Sequence, residues 1–100
     1  MIHLWSEQEI VNFIAAAMRE RRIALSLSQK EAAQKAGLST LTLSNFERGK
    51  NISLKNLISL LIVYEMDATI LNAFRNRESW DLEELKRAET RKRVRHGKKD

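Results

Sequence analysis

Apolar and polar positions recur with a helical period along most of this chain, and each periodic segment is opened by a residue able to cap a helix. Ser6 and Glu9 form a capping box ahead of Ile10, Phe13, Ile14, Ala17 and Met18, a spacing that runs on to Ile23 and Leu25. A first helix is therefore predicted from near Glu7, with Trp5 folded over Ile10 as a hydrophobic staple. Ser28 and Glu31 open a second, short helix whose apolar positions are only alanines: Ala32, Ala33 and Ala36. Gly37 stops it, because glycine takes the left-handed conformation at little steric cost, and Ser39 caps a third helix two residues later. In that helix Leu43 and Phe46 share a face, leaving Thr40, Leu41, Thr42, Ser44 and Asn45 around the remainder, and Gly49 ends the segment.

Ser53 caps a fourth segment, Leu54 to Tyr64, apolar on nearly every side and so expected to be the buried central helix. Asp67 is expected to cap a fifth, in which Met66, Ile70, Leu71 and Phe74 share a face. Thr69, Ile70 and Leu71 would also suit a strand, but no second strand-like segment is present to pair with them, so helix is the preferred reading. Residues 75–80 are polar and linker-like; beyond them Asp81 with Glu84, and Trp80 with Leu85, predict a sixth short helix from Leu82. Leu82, Leu85 and Ala88 form only a narrow stripe, and residues 91–100 are too polar to bury anything, so the end of the chain is expected to be disordered in isolation. The fold class expected is all-α: a five-helix domain over residues 1–76 and a short helical, basic extension over 77–100.

Composition narrows the function classes. One hundred residues suffice for one compact core. There is no cysteine, and His3 and His96 lie at opposite ends, so neither a disulfide framework, a metal site nor a cofactor is expected. No nucleophile, base or metal constellation suggests an enzyme. The longest apolar run, Leu57 to Tyr64, is too short for a membrane span and the N-terminus lacks a signal core, so a cytoplasmic protein is expected. The net charge of +5 points to a polyanionic partner, and it is concentrated: residues 86–100 hold eight basic side chains against Glu89 and Asp100. That run is either a solvated electrostatic arm or, with the stripe at Trp80, Leu82 and Leu85, a segment that folds onto an acidic groove of a partner.

The informative stretch is Gln29 to Arg48: an alanine-faced helix, a glycine turn, and a second helix with a small polar outer face. Alanines let the two helices pack closely, and short hydroxyl and amide side chains keep the second slim enough for a major groove about 12 Å wide. An ordinary helical hairpin would show the same turn.

At these residues the chain resembles the lambda/434 repressor and Cro family of helix-turn-helix proteins. The likeness covers Met18 to Phe74 and is closest over RRIALSLSQKEAAQKAGLSTLTLSNFERGK, Arg21 to Lys50, with the helix-turn-helix motif at 29–48. One departure is visible: the family usually has glycine where this chain has Ser26. The resemblance implies a repressor-type domain binding double-stranded operator DNA, with Gln29 on a phosphate, Thr40, Leu41 and Asn45 facing bases, and Lys50 on the backbone. Ser39, Thr42 and Ser44 would meet phosphate or base, although the cap role alone accounts for Ser39, and an equal alternative for Leu41 is that it covers an apolar rim. Arg22 and Glu47 match the family's ion pair between the first and third helices, the alternative being two independent surface charges. A homodimer is expected, because one such module contacts only a short half-site. Candidate interfaces are the extended first helix with Trp5, Phe13 and Ile14, the fifth helix, and the Trp80 segment.

A narrower likeness, to antitoxin repressors of the HipB type, is carried by LSNFE at Leu43 to Glu47, the apolar run Leu57 to Tyr64 and the basic extension. It implies an autoregulating antitoxin with a HipA-like kinase toxin as partner. The competing readings are a stand-alone repressor and a protein-interaction module on the same fold.

Overall fold

The computed structural model describes residues 4–75 together with Arg87, Glu89 and Thr90. Five helices follow in order: α1 (Glu7–Ala24), α2 (Gln29–Ala36), α3 (Thr40–Glu47), α4 (Leu54–Val63) and α5 (Asp67–Arg75). No strand occurs among the described residues, and the segment 69–71, for which a strand was the competing reading, lies within α5. The chain divides into two compact units, Met1–Ala68 and Thr69–Asp100. The expected sixth helix, its Asp81–Glu84 box, its Trp80–Leu85 staple and the disordered end lie outside the described residues, apart from helical backbone at Arg87, Glu89 and Thr90.

Helices α1 to α4 share one grammar. Each opens on a serine whose hydroxyl accepts from a backbone N–H three residues on: Ser6 from Glu9, Ser28 from Glu31, Ser39 from Thr42 and Ser53 from Asn56. At α1 and α2 the glutamate returns the bond, completing the box and holding the carboxyls of Glu9 and Glu31 below their ordinary pKa.

Each of the four helices also closes on a left-handed residue: Ser26 (φ 59°), Gly37 (73°), Gly49 (89°) and Glu65 (58°). The residue beyond then reaches back to a carbonyl of the last turn, Leu27 to Arg22 at 3.1 Å, Leu38 to Ala33 at 2.8 Å, Lys50 to Asn45 at 2.9 Å and Met66 to Leu61 at 2.8 Å. In a chain without proline these serines and left-handed residues alone punctuate the unit.

The core is made by Ala15 and Met18 of α1, Ala32 and Ala33 of α2, Leu43 and Phe46 of α3, Leu60 and Leu61 of α4, and Tyr64 at the end of α4. The alanines of α2 are closed off from solvent, which lets both α3 and α4 pack against this short helix. Burying each large apolar side chain stabilises the unit by about 1.5–3 kcal/mol, so Leu43, Phe46 and Leu60 anchor the motif.

The structure departs from two expectations, the all-round burial of α4 and Asp67 as a cap. Of the α1 stripe only Met18 is buried, while Ile10, Phe13, Ile14 and Ile23 are exposed, because the side facing α3 is the one carrying Ala15, Met18 and Arg22. Trp5 meets Phe13 edge-on, ring centroids 5.4 Å apart, and an aromatic edge is attracted to a ring face. Helix α4 is not buried all round, since Leu54, Ile58 and Ile62 are exposed, and Asp67 is the first residue of α5 rather than its cap.

Candidate nucleic-acid interface

The α2–α3 unit is held from behind by a polar cluster. Arg22, buried on α1, grips Glu47 at the end of α3 with two bonds, Nε to Oε2 at 2.7 Å and Nη2 to Oε1 at 3.0 Å, and its third nitrogen donates to the Leu27 carbonyl at 2.7 Å. Gln29, the first residue of α2, donates from Nε2 to the same Glu47 carboxylate at 2.9 Å. One carboxylate therefore joins three helices. Burial pushes the Glu47 carboxyl up, but the bonds from Arg22 and Gln29 and the charges of Arg22 and Arg19 outweigh it and hold the group below its ordinary pKa. The Arg22 guanidinium is pushed up, chiefly by its bonds to Glu47.

Tyr64 lies beneath this cluster. Its ring is fully buried and its hydroxyl has no hydrogen-bond partner among the described residues. Desolvation, followed by the Glu47 charge, pushes its pKa up to about 12. The Tyr64 carbonyl is not idle, accepting from Arg21 Nε at 2.9 Å, so α1 is tied to the end of α4 as well as to α3.

On the outward side of α3, Thr40 and Leu41 are exposed, Leu41 to 66%, while Thr42, Ser44 and Asn45 are half-buried. Ser39 and Thr42 are already joined, the Ser39 hydroxyl accepting from the Thr42 N–H at 3.0 Å and pairing with its hydroxyl at 2.8 Å. These two hydroxyls are occupied in opening the helix, whereas Thr40 and Ser44 have no such bond of their own to the cap. Lys50 is exposed just after the left-handed Gly49, on backbone fixed by its N–H bond to Asn45. The Gln29 side chain is turned to Glu47, which leaves its second amide hydrogen and the opening N–H groups of α2 as the donors at that helix end.

Two features were not assigned from sequence. The first is Arg48, whose Nη2 donates to Asn45 Oδ1 across one turn of the outer face; the i, i+3 spacing was the available signal. The second is a tether at the end of α3, where Gln8 Nε2 donates to the Gly49 carbonyl at 2.8 Å and to Asn12 Oδ1 at 2.9 Å. Beside it a cleft of about 320 Å³ opens between α1 and the end of α3, lined by Asn12, Arg19, Glu20, Glu47 and Arg48 among others. Its walls carry both signs of charge. Among the described residues no group of three or more His, Cys, Asp or Glu side chains gathers to hold a metal ion. No single helix there is long and apolar enough to cross a membrane.

Compared with known families, residues 18–71 match the model described as Helix-turn-helix. No curated protein matches the chain.

Proposed function

Since the chain belongs to the helix-turn-helix family, a family of DNA-binding regulatory domains, we propose that it is a sequence-specific repressor that reads double-stranded operator DNA with α3. The observation that supports this most is the contrast between the two sides of α3. Leu43, Phe46 and Glu47 lock one side into the core and the α1 ion pair, while the other shows short polar side chains around an exposed leucine. That slim outer face suits a major groove, and a protein-binding groove would favour aromatic anchors there.

In this reading Thr40, Leu41 and Asn45 meet base edges, with the Leu41 methyls against a thymine methyl and Ser44 beside them. Gln29 and the N–H groups opening α2 receive one phosphate, helped by the helix dipole, and Ser39 and Thr42 lie at the equivalent end of α3. Lys50 takes a backbone phosphate, and Arg22 with Glu47 sets the angle at which α3 is presented. The protein acts as a homodimer on a two-fold operator and associates with the nucleoid. The antitoxin reading, with a HipA-like kinase toxin as partner and the extension 77–100 as the contact, is supported by the LSNFE run and the basic end of the chain.

Selection of bound sequences from a random duplex library, followed by titration of variants, tests the reading. Thr40→Ala and Asn45→Ala are expected to weaken the selected site by about 1–3 kcal/mol and leave random DNA unaffected. Lys50→Ala is expected to weaken both alike and lower the salt slope by about one unit. No enrichment by the intact chain, or full affinity in both α3 variants, would reject α3 as the reading element.

A further inference from the structure

Arg48 and Asn45 form a pair on the outer face of α3 that the roles above leave unexplained. The Asn45 carboxamide carries two N–H donors and an oxygen with two lone pairs, and Arg48 Nη2 donates to one of those lone pairs on Oδ1. Arg48 is exposed, so its remaining N–H groups stay open to a ligand. Its backbone N–H is engaged separately with the carbonyls of Ser44 and Asn45, which fixes where the side chain departs from the helix.

An asparagine left to itself suits adenine, because its oxygen accepts from N6 while its nitrogen donates to N7. A carboxamide whose oxygen already holds a guanidinium has one lone pair left, and the positive charge beside it disfavours a further N–H donor such as adenine N6. The bond is charge-assisted and therefore stronger than one to a neutral base amine. What the pair then offers the groove is mainly donors. Guanine is the base whose major-groove edge consists of two acceptors, N7 and O6, whereas adenine and cytosine each present an amino group that would face these donors.

Resting on the reading of α3 as the DNA-contacting helix, we propose that Arg48 is a positioning residue that converts Asn45 from an adenine reader into a guanine reader. Specificity at that base pair then belongs to the two side chains together, one residue inside α3 and one at its cap.

The test compares sequences selected from a random duplex library by the intact chain, Arg48→Ala and Asn45→Ala. The intact chain is expected to select guanine at the half-site position where Asn45→Ala loses its preference. Arg48→Ala is expected to move that position toward adenine, changing the guanine-to-adenine ratio by about tenfold or more. Circular dichroism checks that the variants keep their helices. A measurement on the unaltered protein gives the same information: 7-deazaguanine at that position, which lacks the N7 acceptor, is expected to weaken binding about tenfold. Adenine selected by the intact chain would overturn the proposal. So would an Arg48→Ala variant that binds every sequence more weakly, with a lower salt slope and an unmoved base preference, since Arg48 would then be a phosphate anchor. If the intact chain selects no sequence at all, the DNA-reading function itself fails, and the proposal with it.

Discussion

Arg22 and Glu47 meet fork to fork, at 2.7 and 3.0 Å, with their side chains only 10% and 5% exposed. At that depth each charge depends on the other, because removing one leaves the second buried without its counter-charge. Glu47→Gln is expected to destabilise the unit by about 3 kcal/mol at neutral pH, measured by urea unfolding. The pH dependence has a definite sign. The Glu47 pKa is lowered in the folded state, so its stabilising effect is present above the ordinary carboxyl pKa and is lost as pH falls through the depressed value. The gap between wild type and Glu47→Gln should therefore close below about pH 4. A gap that stays constant into acid would show that the carboxylate charge contributes nothing.

Tyr64 makes the opposite limb. Its folded pKa is raised from 10.0 to about 12, so its neutral form stabilises the fold fully below pH 10.0, an effect lost as pH rises toward 12. Tyr64→Phe removes a buried hydroxyl with no partner among the described residues and is expected to be neutral or stabilising by about 1 kcal/mol at pH 7. Its advantage should widen by at most about 1.4 kcal/mol per pH unit across the alkaline window. Parallel alkaline unfolding curves for the two proteins would mean that folding does not raise the Tyr64 pKa.

The four left-handed terminators provide a built-in comparison. Ser26→Gly and Glu65→Gly are each expected to raise stability by about 0.5–1 kcal/mol, since a Cβ costs about 1–2 kcal/mol at positive φ, offset by glycine's entropy. Gly37→Ala should lose about 1 kcal/mol from conformation alone, because its Cβ would meet nothing nearby. Gly49→Ala should lose more. There the Cβ collides with Asn12 Oδ1, and Asn12 must swing away from Gln8. Adding Asn12→Ala should bring the cost of Gly49→Ala down to that of Gly37→Ala, and thermal unfolding of the set measures each step.

How much of this was legible in the sequence differs by kind of feature. The serine caps and both terminating glycines were readable because each residue type has a local chemistry that serves one position. Glu65 was not, since nothing in a glutamate signals a left-handed backbone, and Ser26 stood out only against the family's glycine. The core side of α1 was not assigned from the sequence for a related reason. Periodicity marks two adjoining stripes on α1, and the bulkier one, Ile10 to Ile14, outweighs the one that packs, where close approach to α3 calls for Ala15 and for a charge at Arg22. Of the residues expected at the interface, the structure joins Arg22, Gln29 and Glu47 behind α3 and leaves Thr40, Leu41 and Lys50 exposed. The Asn45–Arg48 bond depends on side-chain rotamers, which residue spacing permits but does not select.

On the proposed reading of DNA by α3, the length of that helix bounds how much sequence information one copy can extract. Eight residues at about 1.5 Å each make a rod about 12 Å long, against about 3.4 Å per base pair, so it lies along three or four pairs. Fully discriminated, those pairs hold about six to eight bits, a pattern that chance supplies once in roughly 60 to 260 base pairs. The proposed second copy on the opposite half-site would double the bits and so square the rarity, to one occurrence in roughly 4,000 to 65,000. On that reading, two turns of helix, closed by a serine at one end and a glycine at the other, set the length of the address that one α3 can read.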